Sequence, residues 1–155
     1  MKEEGTGVQD FIDAQNEAHA LLLRVLDPLL DAEGITVPQA MTLKSLKDHE
    51  QMCKMSDLAA SRFLTPAAAT GIVDRLIHLG LVQRHFDQND RRVILLALTE
   101  QGEATLAKVE HALQQLMLGF FRRISESERA ASLRMFRKLK EYLNEELDAA
   151  KKQGP

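Results

Sequence analysis

The sequence predicts a mainly α fold carrying one small β-hairpin, and three observations support this. Apolar residues recur at helical spacing through most of the 155 residues. Two short helix signals meet at a sharp corner near Phe63 and Leu64. Two β-prone runs, 81–86 and 93–98, flank a polar turn of Asp87, Gln88, Asn89, Asp90, Arg91 and Arg92, too charged to be core. Two short helices, a tight turn and a hairpin in this order make a winged helix-turn-helix, a shape that sets one helix in a DNA major groove with the hairpin tip beside it.

Each element has its own reason. Val8, Phe11, Ile12, Leu22, Val25, Leu26 and Leu29 share one face of a long first helix, which Pro28 is expected to kink or end early. Thr36 with Gln39 forms a capping box that opens a second helix through about Lys47. Ser56 is placed to cap a third, whose Leu58 and Ala59 suit close packing. Thr65 followed by Pro66 starts a fourth, running to about Leu79, because threonine caps well and proline is tolerated in the first turn. In that helix Ala69, Ile72, Val73 and Leu76 face inward, leaving Ala67, Ala68, Thr70, Gly71, Asp74 and Arg75 outside, and Gly80 closes it. After the hairpin, Thr99 opens a long helix in which Leu106, Val109, Leu113, Leu116 and Phe120 step by three and four, a seam that calls for another helix. Ser125 with Glu128 makes a further capping box ahead of Leu133, Phe136, Leu139, Leu143 and Leu147. The expected organisation is an N-terminal helix over 8–35, the winged helix over 36–99 and C-terminal helices over 100–148.

Charge is distributed unevenly. The chain carries −3 overall, yet residues 62–92 hold five arginines against three aspartates, while residues 1–36 hold two basic and eight acidic residues. The positive excess sits on the segment expected to read DNA. A single cysteine excludes an intramolecular disulfide and suits a reducing cytosol. The most apolar early stretch, 20–30, contains Arg24, Asp27 and Pro28, so neither a signal-peptide core nor a membrane span is expected and the location is cytoplasmic, on the nucleoid. No glycine-rich phosphate loop, nucleophile elbow or defensible carboxylate pair is present, which argues against an enzyme.

The run GIVDRLIHLGLVQR at 71–84, the DRR at 90–92 and the LTEQG at 98–102, in this order and spacing, resemble the MarR family of bacterial winged-helix transcription regulators. Together they span about 45 residues, and the flanking helices extend the match over nearly the whole chain. The resemblance implies a homodimer on a palindromic operator, a reading helix in the major groove and wing arginines in the minor groove. It also implies relief of repression by a small lipophilic or anionic aromatic effector held between the dimer helices and the winged helix. The residues expected on double-stranded DNA are Thr65, Pro66, Ala67, Ala68, Thr70, Gly71, Arg75, Arg84, Arg91, Arg92 and Arg62, with Arg91 assigned to the groove. Asp87 and Asp90 are expected to stiffen the wing, one of them through an arginine. The dimer surface is expected to involve Phe11, Leu22, Val25, Leu106, Val109, Leu113, Leu116, Phe120, Leu143 and Leu147.

Two departures from the family pattern stand out. An apolar residue and then glycine often precede the helix-helix turn, where this chain has Arg62 and Phe63. One solution puts Phe63 in the core and Arg62 on a phosphate, and the sequence leaves open which way each points. Long polar side chains are common early in the reading helix, where this chain has Pro66, Ala67, Ala68 and Gly71, so base readout here is lean, built on thymine-methyl contacts, Thr70 and DNA shape. Some family members sense zinc or use thiols, but His19, His49, His78, His85 and His111 lack an i, i+4 pairing and Cys53 lacks a partner. No metal and no cofactor are expected. An effector-independent architectural or antisilencing DNA binder, and an interaction or ligand-binding module that has lost DNA binding, stay open as alternatives.

Overall fold

The computed structural model describes residues 6–49, 52–87, 90 and 92–152. They fall into two compact units, Met1–Leu113 and Gln114–Pro155. In chain order the elements are α1 (Thr6–Ala32), α2 (Val37–Asp48), β1 (Cys53–Lys54), α3 (Met55–Ser61), α4 (Pro66–His78), β2 (Val82–Phe86), β3 (Ile94–Leu98), α5 (Glu100–Phe121) and α6 (Glu126–Lys152). The mainly helical fold with a β-hairpin wing is therefore present, and the strand limits differ from the expected runs by one residue.

Three expectations need correction. α1 continues past Pro28 to Ala32 instead of ending early; the last turn carries Leu30, which is buried in the core, and this packing outweighs the one backbone bond that proline removes. Ser56 does not cap α3, because Cys53 and Lys54 pair with Leu96 and Leu95 as a short strand that runs straight into the helix, making Lys54 the cap residue. The Ser56 hydroxyl instead donates to the Asp57 carboxylate at 3.2 Å. β1 thus adds a third strand to the wing, in the order β1-β3-β2, all antiparallel. Finally, Leu106 is not available to a dimer partner, being 2% exposed in the core of the first unit.

That core gathers Leu30 and Ile35 from the end of α1, Leu43 and Leu46 from α2, Leu58 from α3, Val73 and Leu76 from α4, Leu96 from β3 and Leu106 from α5. Val109 packs partly against it, so the first two positions of the α5 seam serve the fold of the single chain. The α2 opening forms as the sequence predicts, with the Thr36 amide donating to Gln39 Oε1 at 2.8 Å. Charged links then fix the start of α5 in the unit: Lys108 and the Thr105 hydroxyl both donate to the Glu33 carboxylate, and Lys47 donates to Glu110. These pairs are largely exposed and contribute little each.

Three helix ends in this unit close with one backbone pattern. After α1 the Gly34 amide donates to Asp31 and the Ile35 amide to Leu30; after α3 Phe63 donates to Ala60 and Leu64 to Ala59; after α4 Gly80 donates to Ile77 and Leu81 to Leu76. This Schellman arrangement requires a left-handed residue at its centre. The φ values are +67° at Gly34, +52° at Phe63 and +72° at Gly80.

In the second unit, the capping box at the start of α6 forms in both directions: the Ser125 amide donates to Glu128 Oε2 at 2.7 Å and the Glu128 amide to Ser125 Oγ at 3.3 Å. Phe120 and Phe121 lie 6.2 Å apart between ring centroids, and the Arg129 guanidinium sits 5.9 Å from the Phe121 ring. Along α6 the apolar residues Leu133, Phe136, Leu143 and Leu147 are all exposed in the single chain.

Candidate nucleic-acid interface

The DNA-reading geometry begins with how α4 is held. Ala69, Val73 and Leu76 are buried at helical spacing, which anchors one face on the core and fixes what the opposite face presents. Thr65 accepts a hydrogen bond from the Ala68 amide at 3.2 Å, and Pro66 fills the first helical position, where no amide donor is needed. The outward residues are those expected: Ala67, Ala68, Thr70, Gly71, Asp74 and Arg75 are all exposed, as are Thr65 and Pro66 at the start. Ile72, expected inside, is half-buried.

This outer face is low in relief. Thr70 donates its hydroxyl proton to the Pro66 carbonyl at 2.8 Å, so toward an outside partner its oxygen acts as an acceptor. Gly71 has no neighbour within 4 Å of where a Cβ would stand. The fold therefore gives no packing reason for a glycine in mid-helix, where it costs about 1 kcal/mol relative to alanine.

Cations flank the face. Arg75 is exposed, with no side-chain partner among the described residues. Arg84, on β2, pairs with Asp74, on α4, which joins wing and reading helix and gives the carboxylate the orienting role that repulsion from phosphate favours. At the wing tip the Asp90 amide donates to Asp87 Oδ1 at 3.1 Å and the Arg92 amide to Asp90 Oδ1 at 2.9 Å. Both carboxylates thus brace the turn through backbone amides, with the Val93 amide closing it on the Asp90 carbonyl at 2.9 Å. The Arg92 residue is exposed. Arg91, assigned to the groove, lies outside the described residues.

The corner between α3 and α4 differs from the arrangement with phenylalanine inside. Phe63 is 80% exposed, whereas Arg62 is half-buried with Nη2 on the Met41 sulfur at 3.3 Å and a buried Nε without a hydrogen-bond partner. The backbone explains the reversal: the Schellman turn fixes position 63 as left-handed and leaves position 62 beside α2. The exposed ring was the feature the sequence did not reveal.

The LTEQG motif finds its reason at the base of the wing. The Thr99 hydroxyl donates to the Gly80 carbonyl at 2.6 Å and accepts from the Gly102 amide at 3.0 Å, so one side chain caps α5 and ties it to the end of α4. A Cβ at Gly102 would stand 2.0 Å from the Leu81 carbonyl oxygen, a distance only glycine permits.

Other candidate chemistry is sparse. Cys53 is 2% exposed, and burial, followed by the nearby Asp57 charge, pushes its thiol above the ordinary range. Among the described residues no three His, Cys, Asp or Glu side chains stand together as a metal site, and no helix is long and apolar enough to cross a membrane.

Comparison with known proteins gives the same fold. A family model described as MarR family matches residues 33–93. The HTH-type transcriptional repressor MdtR of Bacillus subtilis is 31% identical over 119 residues, covering 75% of this chain and 76% of its own. A MarR family protein from Bacillus stearothermophilus superposes with a TM-score of 0.80 at 24% identity, over 91% of this chain and 98% of its own. A MepR like protein, solved in complex with pseudoligands, shows 31% identity and a TM-score of 0.58 over 90% of this chain and 97% of its own. An anchored reading helix beside a braced wing, with relatives of this likeness over three quarters of the sequence, places the chain in the MarR family of winged helix-turn-helix transcriptional regulators.

Proposed function

We propose that the chain works as a homodimeric repressor on a palindromic operator, with α4 in the major groove and the wing arginines in the adjacent minor groove. The observation that carries this is the outer face of α4: small, exposed and flanked by Arg75 and Arg84 in a chain whose net charge is negative. Small side chains let the helix approach the base edges, the methyls of Ala67 and Ala68 suit thymine methyls, and Thr70 offers an acceptor. Arg91 and Arg92 extend the contact to the minor groove, where narrow A·T segments hold enhanced negative potential. Arg62 is reassigned to bracing the turn against Met41. The relative named as a repressor supports the sign of regulation.

The dimer rests on exposed apolar surface. On α1, Val8 is 71% exposed and Val25 58%, with Phe11 and Leu21 also exposed; on α5 and α6, Phe120, Leu143 and Leu147 are exposed too. Contiguous apolar faces of this kind mark an interface, and two reading helices one helical turn apart on DNA require two chains. Leu22 and Leu113 in the first unit and Leu116 in the second are assigned to the dimer contact as well; Leu106 is not.

For regulation, an open hollow of about 280 Å³ in the first unit is lined by Leu46, Met52, Ala97 and Leu98 together with Lys47, His49 and Glu103. Its apolar walls suit a small lipophilic molecule, and Lys47 offers an ammonium to an aromatic carboxylate, with Glu103 opposing it. The MepR like protein solved in complex with pseudoligands supports a small-molecule site. Cys53, buried and held as a thiol, is unsuited to sensing oxidants.

The test is a fluorescence-anisotropy titration with duplex DNA from upstream of the gene's own start, at several salt concentrations, alongside sedimentation of the free protein. Binding whose logarithm falls linearly with the logarithm of salt, by a species sedimenting as a dimer, is expected. Salt-independent or absent binding, or a persistent folded monomer at micromolar concentration, overturns the proposal. Release by aromatic carboxylates sustains the effector arm, and indifference to them leaves an effector-independent binder. Cys53→Ala should bind as the parent does before and after peroxide.

A further inference from the structure

We propose that Phe63 is itself a DNA-contacting residue, its ring packing against deoxyribose edges and a thymine methyl of the operator where the strand passes the N-terminal end of α4. The proposal rests on the DNA-binding role assigned to α4 above. Three observations carry it. Position 63 is left-handed, at φ +52°, in a turn whose two counterparts in the same unit are filled by glycine. A bulky side chain rarely adopts that backbone, and strain of this kind persists where a function holds it. Among the described residues no packing offsets it, because the ring is 80% exposed.

The second observation is the chemistry around the ring. Arg62, the nearest cation, is turned to the Met41 sulfur and is half-buried, so this corner presents an apolar group where a phosphate-directed one was expected. The third is the relief of the interface. The outward residues at the start of α4 are Thr65, Pro66, Ala67 and Ala68, and Phe63 is the only aromatic between residues 55 and 78. The exposed ring stands two residues before the Thr65 cap of α4, and on DNA it would replace with apolar contact the long polar side chains that the helix lacks. Sugar edges and thymine methyls are the apolar groups DNA offers to such a ring. The competing occupant, a second copy of the chain, has its own apolar surface on α1 and α6, elements to which Phe63 does not belong.

The experiment is a duplex titration of the full chain, Phe63→Gly, Phe63→Asn and Phe63→Leu at several salt concentrations, with urea denaturation and sedimentation of each. Glycine and asparagine tolerate the left-handed backbone, so both variants fold, and glycine should raise the denaturation midpoint. Their operator affinity should fall about tenfold, equal to about 1.4 kcal/mol. The salt slope should stay unchanged, since an apolar contact releases no counterions. Leucine should restore part of the affinity.

Affinity of Phe63→Gly within about twofold of the parent overturns the proposal alone, provided the parent binds with normal salt dependence. Lack of binding by the parent overturns the DNA-binding role together with it. A fall in assembly size of Phe63→Gly at unchanged DNA affinity assigns the ring to a protein contact and also overturns the proposal.

Discussion

The two ends of the reading motif use one hydrogen-bond pattern in two different surroundings. At Gly80 the turn is exposed but tied to α5: its carbonyl accepts from the Thr99 hydroxyl, the next carbonyl, Leu81, accepts from the Thr99 amide at 3.1 Å, and Leu81 is 3% exposed. At Phe63 the same turn leaves its central side chain in water. Glycine at 80 is explained by the protein alone, through its left-handed φ of +72°. Phenylalanine at 63 has no such internal explanation, and the contrast separates residues kept for folding from residues kept for an outside partner.

The largest effect belongs to the end tied to α5. Gly102→Ala forces a methyl against the Leu81 carbonyl, and the start of α5 must shift away from the end of α4. A loss of about 3 kcal/mol, the upper part of the range for overpacking, is expected in urea denaturation. Gly80→Ala comes next. Its left-handed backbone costs a side chain about 1–2 kcal/mol, and the new methyl would meet Gln101 Oε1 only at an ordinary 3.4 Å, so strain is the main contribution. A midpoint unchanged in Gly80→Ala would remove the basis of the comparison.

Phe63→Gly should move the other way, stabilising by about 0.5–1 kcal/mol as relief of the left-handed conformation is partly offset by a more flexible unfolded chain. If it destabilises instead, the ring packs on the fold in solution and the two turns are alike.

The smallest effect is at a helix end made from side chains. Glu128 has its carboxyl held below the usual range, first by the Ser125 hydroxyl and then by the Ser125 amide. A depressed carboxylate contributes stability that is fully present above its unfolded pKa of about 4.3 and is lost as pH falls through the lower folded value. Helicity of α6 should therefore decline slightly in acid below that point, and Ser125→Ala should remove this part of the pH dependence, read by circular dichroism. The bonds that close the ends at Gly34 and Gly80 run between backbone amides and carbonyls, which do not titrate.

Most of this architecture was legible because it is local. Thr36 with Gln39, Thr65 with Pro66, and Ser125 with Glu128 announce helix starts within four residues, and Gly80 announces an end. The exposed face of α4 followed from the spacing of Ala69, Val73 and Leu76. What escaped depends on contacts distant in sequence. β1 is two residues long, too short for any periodicity, and exists because Leu95 and Leu96 pair with it. Leu106 fits a helical seam by spacing, yet its place in the core cluster is a tertiary fact. The orientations of Arg62 and Phe63 follow from the φ at 63, which the amino-acid types oppose. The α1 helix passes Pro28 for the same reason: packing of Leu30 outweighs a local preference.

The most direct measurement is duplex binding by Gly71→Glu, because Gly71 lies at the centre of the exposed face with open space around it. Glutamate is the better helix former by roughly 0.5–1 kcal/mol, so urea denaturation should show a fold at least as stable as the parent. If the outer face of α4 lies on DNA, a carboxylate there meets base edges and phosphates, and affinity should fall by about a hundredfold or more, about 2.7 kcal/mol. A stable Gly71→Glu protein that binds the same duplex with parental affinity would contradict the placement of α4 in the groove.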